Sequence, residues 1–215
     1  MKTPPENSLI SHLVADLKPM RRLSLRAGLT IFCLATAFTA LMAISTIGMR
    51  LDVLTGYFDP MFILSSGLFL MLALASSFTV IEMSRPYVGG HRDGWMWAVA
   101  MAGLLPISAL IISAAAYWQG QGPQTDLNGA KCMGLGIGFS LIVGGVLTLW
   151  LRRGAPTSPE RAGLLTGVAA GSVGIFAETL HCPYNDIVHI GIWHGLAVIL
   201  SAVIGRVIVP RLCRW

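Results

Sequence analysis

Six long apolar stretches dominate the sequence and restrict what it can fold into. They cover about residues 28–49, 61–81, 94–117, 132–151, 162–181 and 188–209. About 20 consecutive apolar residues suffice for a helix to cross the hydrocarbon core of a bilayer. Only 12% of the residues are charged, whereas soluble domains average about 25%. Because lipid offers backbone groups no water to bond with, the sequence predicts an all-α fold, a polytopic membrane bundle of six transmembrane helices.

Positive charge is distributed unevenly between the connections. Of the 15 lysines and arginines, only Arg50 and Lys131 lie on one side of the predicted bundle, and the others lie at the opposite side, which also carries both termini. Cytoplasmic loops are enriched in Lys and Arg, so both termini are predicted to be cytoplasmic in a bacterial inner membrane. The net charge of +5 is therefore a topology signal and does not indicate direct binding of nucleic acid. The chain divides into a cytoplasmic segment, residues 1–27, and a six-helix transmembrane domain, residues 28–215.

A short amphipathic helix is predicted over residues 3–18 of the cytoplasmic segment. Its apolar positions recur at helical spacing and form one stripe: Leu9, Ile10, Leu13, Val14 and Leu17. About 16 residues are too few to cross a bilayer. Two interpretations stay open at this point: a helix that lies on the membrane surface beside Arg21 and Arg22, or a helix that docks on a partner protein.

The fourth and fifth stretches form a hairpin with a cysteine at each end. Cys132 starts the first arm, Cys182 ends the second, and a short polar turn around Pro156 joins them. The arms differ by two residues, which corresponds to a depth difference of ~3 Å. Helices joined by a short turn are normally antiparallel neighbours. The two thiols are therefore predicted on the same side of the membrane, the oxidising periplasmic side, and within bonding reach of each other.

Several polar residues surround the second cysteine. Glu178, His181 and Cys182 are three and four residues apart and are predicted to share one helical face, with Glu178 about one turn from the interface, where water reaches it. His189 and His194 follow, but a spacing of five is about 140° around an α-helix, so one of them is interpreted as an interfacial hydrogen-bonding residue. Thiolate and imidazole ligands suit zinc or cadmium, and two thiols also suit a disulfide. A structural disulfide, a sensing thiol pair or metal site, and unrelated packing cysteines all remain open.

Glycine is frequent in the last three stretches, often at a spacing of four. The sets are Gly134 with Gly138, Gly163 with Gly167 and Gly171, and Gly191 with Gly195. Small residues at this spacing let helix backbones approach closely in lipid. Tight helix packing is a sufficient explanation for them. The sequence shows no nucleophile elbow, phosphate loop, dinucleotide fingerprint or haem motif, so catalysis is not indicated.

Four short motifs, in this order along the chain, resemble the NrsF family. They are DLKPMRRL (residues 16–23), LRRGAP (residues 151–156), HCP (residues 181–183) and the pair Trp193–His194. The resemblance covers the chain from about residue 9 to the C-terminus. It implies a six-span inner-membrane anti-sigma factor that holds an extracytoplasmic-function sigma factor at the membrane until stress releases it. It also implies two outward-facing cysteines that respond to heavy metals such as chromate and cadmium, and these map onto Cys132 and Cys182.

The resemblance also implies roles for the remaining candidate residues. The partner-binding residues are then the apolar stripe and its neighbours, namely Leu9, Ile10, Leu13, Val14, Leu17, Arg21 and Arg22. The candidate metal ligands are Cys132, Cys182, His181, Glu178 and His189. No resident cofactor is required; the expectation is a transient heavy-metal ion such as cadmium, or a disulfide, at the two cysteines. Competing hypotheses are a membrane thiol-disulfide oxidoreductase, a small transporter with Glu178 and His189 on its pathway, and a structural scaffold.

Overall fold

The described part of the chain forms a bundle of six long helices. The computed structural model describes residues 23–85, 94–120 and 128–213, together with Ser11, Val14 and Ala15. Each helix is long and apolar enough to cross a membrane. Their bounds are α1 Leu25–Ile47, α2 Pro60–Met83, α3 Gly94–Trp118, α4 Gly129–Arg152, α5 Pro159–Thr179 and α6 Ile187–Leu212. The prediction of an all-α, six-span membrane bundle is confirmed, and every predicted boundary lies within three residues of the observed one.

Three of the described helices, α1, α2 and α6, begin at a side chain that caps them. Ser24 accepts a hydrogen bond from the backbone N–H of Ala27, and Asp59 accepts one from Met61. Asp186 accepts two, from the N–H groups of Val188 and His189. Such side chains satisfy N–H groups that have no partner within the helix. Proline at the first position of α2 and of α5 fits the same rule, because that position needs no N–H donor.

The least hydrophobic of the six helices, α5, lies at the centre of the bundle. It is almost wholly buried and packs most extensively on α6, then on α4 and α2. A Cβ at Gly163 or Gly167 would collide with backbone atoms of Gly205 or Ser201 in α6. Small residues along α5 therefore serve close backbone contact, as their spacing predicted.

The glycines of α4 correct one packing prediction. Apart from their own helix, no described residue has an atom within 4 Å of a Cβ placed on Gly134 or Gly138, so the prediction that this pair packs tightly is wrong. The contact with α5 is made by Gly136, where a Cβ would meet Ile175, and by Gly174 of α5, where a Cβ would meet the backbone of Gly136. Two residues correspond to about 200° around a helix, so Gly136 faces the opposite way from its two neighbours.

The N-terminal segment, residues 1–27, is described at Ser11, Val14 and Ala15 and again from Leu23 onward. Ser11, Val14 and Ala15 are helical and exposed, and Val14 keeps 60% of its surface accessible. The other stripe positions, Leu9, Ile10, Leu13 and Leu17, lie outside the described residues, as do Arg21 and Arg22. Val14 is thus not buried against the bundle.

Candidate functional site

The two hairpin cysteines lie in contact at one end of the bundle, which we call the cysteine end. Cys132 comes from the first turn of α4 and Cys182 from the turn that follows α5. Their sulfur atoms are 3.7 Å apart, and both residues are buried. The prediction that an antiparallel hairpin brings these distant thiols together at the same end is confirmed.

The helix that leads to Cys182 ends earlier than predicted. α5 stops at Thr179, and Cys182 lies in the turn beyond it, although its N–H still bonds the carbonyl of Glu178 at 3.0 Å. His181 is half-buried and does not belong to the group of donor atoms around the sulfurs. The expectation that Glu178, His181 and Cys182 act from one helical face therefore has no support from the structure.

His189 contacts the sulfur of Cys182. Its Nε2 atom lies 3.5 Å from that sulfur. The residue sits in the first turn of α6, where the carboxylate of Asp186 caps the helix and accepts its backbone N–H. The ring of Tyr184 lies against the imidazole, with 4.9 Å between ring centroids. Both the backbone and the ring of His189 are thus held in place.

His194 joins the same cluster because α6 contains a π-helical segment. Residues Ile190–His194 form a π-helix, and the N–H of Gly195 bonds the carbonyl of Ile190, five residues back. In this geometry the hydrogen bonds run from i to i+5, so side chains five residues apart come onto one face. The rings of His189 and His194 have their centroids 5.2 Å apart. The prediction that these two histidines do not share a face is wrong, since it assumed a regular α-helix.

Glu178 is fully buried beneath the cluster. Its Oε2 atom lies 3.1 Å from Nε2 of His194, and neither side chain has more than 1% of its surface exposed. The expectation that water reaches this carboxylate is therefore wrong. A buried carboxylate requires a charged or hydrogen-bonding partner. The imidazole of His194 lies at ion-pair distance, but the contact does not have hydrogen-bond geometry.

Four donor residues converge as a result. One side-chain donor atom from each of Cys132, Cys182, His189 and His194 lies within 4.8 Å of the other three, and all four residues are buried. The sequence indicated three of them and missed His194 as a donor. No feature of the residues IGIWH indicates a π-helix. The one property of the sequence that could have pointed to His194 as a donor was its imidazole, the second one that follows closely after Cys182.

An arginine fixes the turn that carries Cys182. Arg50 donates from Nη1 to the carbonyl of Cys182 at 2.8 Å and to Oδ1 of Asn185 at 3.0 Å. It also donates to both carboxylate oxygens of Asp52, at 2.7 and 2.6 Å. The Arg50 guanidinium thereby holds the pKa of Asp52 below its usual value. The guanidinium carbon lies 4.9 Å from the ring centre of Phe62. Sequence reasoning had used Arg50 only as a topology charge.

The space beside the cluster limits what can bind there. A crevice borders Cys182, His194, Arg50 and Tyr184, but it has no volume that a water molecule could occupy, whereas organic ligands occupy pockets of roughly 300–1,000 Å³. An organic substrate therefore does not fit beside the cluster. The fold and the site thus define a polytopic membrane protein with a buried cluster of thiol and imidazole groups near one end of the bundle.

Comparison with known proteins identifies the family. A family model described as NrsF, negative regulator of sigma F, matches residues 13–215. The chain therefore belongs to the NrsF family, whose role is regulatory and not enzymatic. Membership argues against the oxidoreductase hypothesis.

Two curated relatives extend over most of the chain. The anti-sigma-F factor NrsF of Caulobacter vibrioides (strain NA1000 / CB15N) is 29% identical over 229 residues, covering 97% of this chain and 99% of the relative. The probable anti-sigma-F factor NrsF of Azospira oryzae (strain ATCC BAA-33 / DSM 13638 / PS) is 27% identical over 182 residues, covering 83% and 84%. No solved structure matches the chain significantly.

Proposed function

We propose that this protein is a membrane-bound anti-sigma factor that holds an extracytoplasmic-function sigma factor at the bacterial inner membrane and releases it under heavy-metal or oxidative stress. Family membership and the names of the two relatives support the regulatory role. The observation that carries the sensing role is the contact of the two sulfur atoms at 3.7 Å, because the two cysteines are 50 positions apart in the sequence and only the fold brings them together.

The proposed orientation puts the cysteine end in the periplasm. The charge distribution supports it, since lysine and arginine are retained in the cytoplasm, and of the nine basic residues that the structure describes only Arg50 and Lys131 lie at the cysteine end. The periplasm is an oxidising compartment. Stress agents thus meet the thiols before they cross the membrane.

The cytoplasmic segment is the proposed site for the sigma factor. Its apolar stripe needs a partner surface, and Val14, the one stripe position described, is exposed and helical. Amphipathic helices commonly dock in grooves of partner proteins through such stripes. Arg21 and Arg22 follow the stripe in the sequence and are proposed to add charged contacts to the sigma factor.

The sensing event is proposed to be either metal capture or oxidation at Cys132 and Cys182. Oxidation forms one disulfide, releases two protons and transfers two electrons to an external oxidant such as chromate. The sulfurs must then approach from 3.7 Å to about 2.05 Å. Either event displaces the turn that holds Cys182.

Arg50 provides a physical link from that turn to the cytoplasmic segment. Its backbone N–H bonds the carbonyl of Leu180 at 2.9 Å, and its side chain bonds the carbonyl of Cys182. Arg50 lies three residues beyond the end of α1, and α1 begins at Leu25, within the N-terminal segment of residues 1–27. Movement of the turn therefore pulls on the helix to which the proposed sigma-binding segment is attached.

The test is transcription of a sigma-dependent reporter in cells that carry Cys132→Ser or Cys182→Ser. Each variant is expected to lose the response to dichromate and cadmium while it still represses the unstressed reporter. Cys33→Ser is the matched control, since Cys33 is exposed in the middle of α1 and is expected to respond normally. A normal response in both test variants would refute the sensing role. Deletion of residues 1–20 is expected to derepress the reporter permanently, and continued repression would refute the docking role.

A further inference from the structure

We propose that Cys132, Cys182, His189 and His194 form a four-coordinate site for one divalent zinc-class ion, with Glu178 as the residue that orients His194. The inference deepens the proposed function by naming the ligand class of the sensing site, and it rests on that function for its regulatory meaning. The ligand set differs from the one that the sequence suggested, because His194 replaces His181 and Glu178 moves from the metal to the outer shell.

The donor spacings match a tetrahedral ion. Zinc binds sulfur at ~2.3 Å and imidazole nitrogen at ~2.0–2.1 Å, so tetrahedral angles separate two sulfur ligands by about 3.8 Å and a sulfur from a nitrogen by about 3.6 Å. The sulfurs of Cys132 and Cys182 are 3.7 Å apart, and the sulfur of Cys182 is 3.5 Å from Nε2 of His189. No pair among the four exceeds 4.8 Å, so a shift of about 1 Å completes the tetrahedron.

The two imidazoles are the reason to prefer a metal site over a disulfide alone. A disulfide requires only the two sulfurs, yet two buried histidines are held beside them. Nε2 of His194 lies 3.1 Å from Oε2 of Glu178, and the other ring nitrogen, Nδ1, is buried with no hydrogen-bond partner among the described residues. Buried polar atoms normally have partners, and an ion bound between the thiols and the imidazoles would supply one for this nitrogen.

The chemistry of the donors selects the class of ion. Thiolate and imidazole favour zinc and the softer cadmium over magnesium or calcium, which prefer oxygen ligands. On binding, each cysteine gives up its proton, and two thiolates balance the charge of a divalent ion in the buried site. Four protein ligands leave no open position, as in structural zinc sites and unlike catalytic ones, which agrees with a family that is not enzymatic.

Glu178 completes the site as a positioning residue. Histidines that bind metals usually donate their second ring N–H to a carboxylate or carbonyl group, which fixes the ring orientation and tautomer. Glu178 lies 3.1 Å from His194 and is fully buried. The costly placement of a carboxylate inside a membrane helix has an explanation in this role.

The test measures metal binding by the full-length protein in lipid nanodiscs, loaded with zinc alone and then with cadmium alone. X-ray absorption is expected to show one ion with two sulfur and two nitrogen neighbours. His194→Gln is expected to remove one nitrogen and to weaken zinc binding more than the 10–100-fold that loss of an outer-shell partner costs. The matched control is His181→Gln, which alters a histidine next to Cys182 but outside the cluster, and it is expected to bind zinc normally.

Three results would overturn the proposal: no bound zinc in the wild-type protein, a wild-type shell of two sulfurs and two oxygens, or equal affinities in the two histidine variants. The wild-type spectrum does not depend on whether a variant folds. Reporter measurements separate this proposal from the proposed function. A site with two sulfurs and two nitrogens in a protein whose cysteine variants still respond to stress would refute the sensing role alone, whereas lost responses with a different shell would refute the metal site alone.

Discussion

Replacement of Arg50 by alanine tests how firmly the turn around Cys182 is held. Arg50 makes one charge-assisted hydrogen bond to the buried carbonyl of Cys182 and one to Asn185, and its side chain is only 6% exposed. A hydrogen bond to a charged group contributes about 1.5–3 kcal/mol. The bond to Asp52 adds less, because Asp52 keeps 26% of its side chain exposed and its charge is screened. The loss is therefore about 2–4 kcal/mol of local stability.

This loss has a measurable consequence for the accessibility of Cys182. A destabilisation of about 2–4 kcal/mol raises the population of an opened turn roughly 30- to 700-fold. Cys182 is 1% exposed in the folded state, so it reacts with a thiol reagent only when the turn opens. The rate of labelling follows the open population when closing is faster than the reaction. The assay is the labelling rate of Cys182 in nanodiscs, in a background where the other three cysteines are serine.

The control variant removes an arginine whose side chain is exposed to solvent, in contrast to the buried Arg50. Arg206 pairs with Glu160 at 3.3 Å, and both side chains are more than half exposed. Exposed pairs contribute about 0–1 kcal/mol, so Arg206→Ala is expected to leave Cys182 labelling nearly unchanged. An Arg50→Ala protein with wild-type labelling would refute the reasoning, since it would mean that the turn is held without the arginine.

Three further predictions follow from the packing, the cluster and the loop. Gly167→Val is expected to destabilise the bundle by ~1–3 kcal/mol, because the new side chain meets the α6 backbone. Gly134→Val is the control, since its side chain points into open space and is expected to leave the thermal midpoint of unfolding unchanged. Equal midpoints for the two variants would contradict this prediction. Glu178→Gln is expected to weaken zinc binding about 10–100-fold in equilibrium titrations, and an unchanged affinity would exclude an orienting role. Because Arg50 lowers the pKa of Asp52, the contribution of the Arg50–Asp52 pair to folding stability is present above the ordinary carboxyl pKa and is lost as pH falls through the lowered value. The difference in unfolding free energy between wild type and Asp52→Asn is therefore expected to shrink in acid. A difference that stays constant with pH would contradict this prediction.

The cysteine pair was predictable because it depends on counting. Arms of nearly equal length joined by a short turn return to the same depth, whatever side chains line them. The contact at 3.7 Å follows from this rule and from the small residues that let α4 and α5 approach. The error about Gly134 arose because a four-residue spacing identifies a stripe on a helix but not the neighbour that the stripe faces.

The histidine cluster was only half predictable. His189 follows from its place beside the cysteine turn, but His194 depends on one extra backbone residue per turn in α6. That segment packs on α3, where Gly191 faces Ala109 and Leu105, and Gly195 faces Pro106. The helix propensities of the residues in this segment do not encode its π-helical turn, because the contacts that accompany the turn come from α3 residues more than 80 positions away.

The sequence by itself determined the six helices long and apolar enough to cross a membrane, the alternating direction in which they run, and the end of the bundle at which the two cysteines meet. These depend on hydrophobic length, which the bilayer dictates for each helix separately. Tertiary structure alone decided that α5 is central, that Arg50 holds the cysteine turn and that His194 faces the sulfurs. Each of these depends on which faces of different helices meet, and in lipid that choice is made by close packing between helices and not by hydrophobicity.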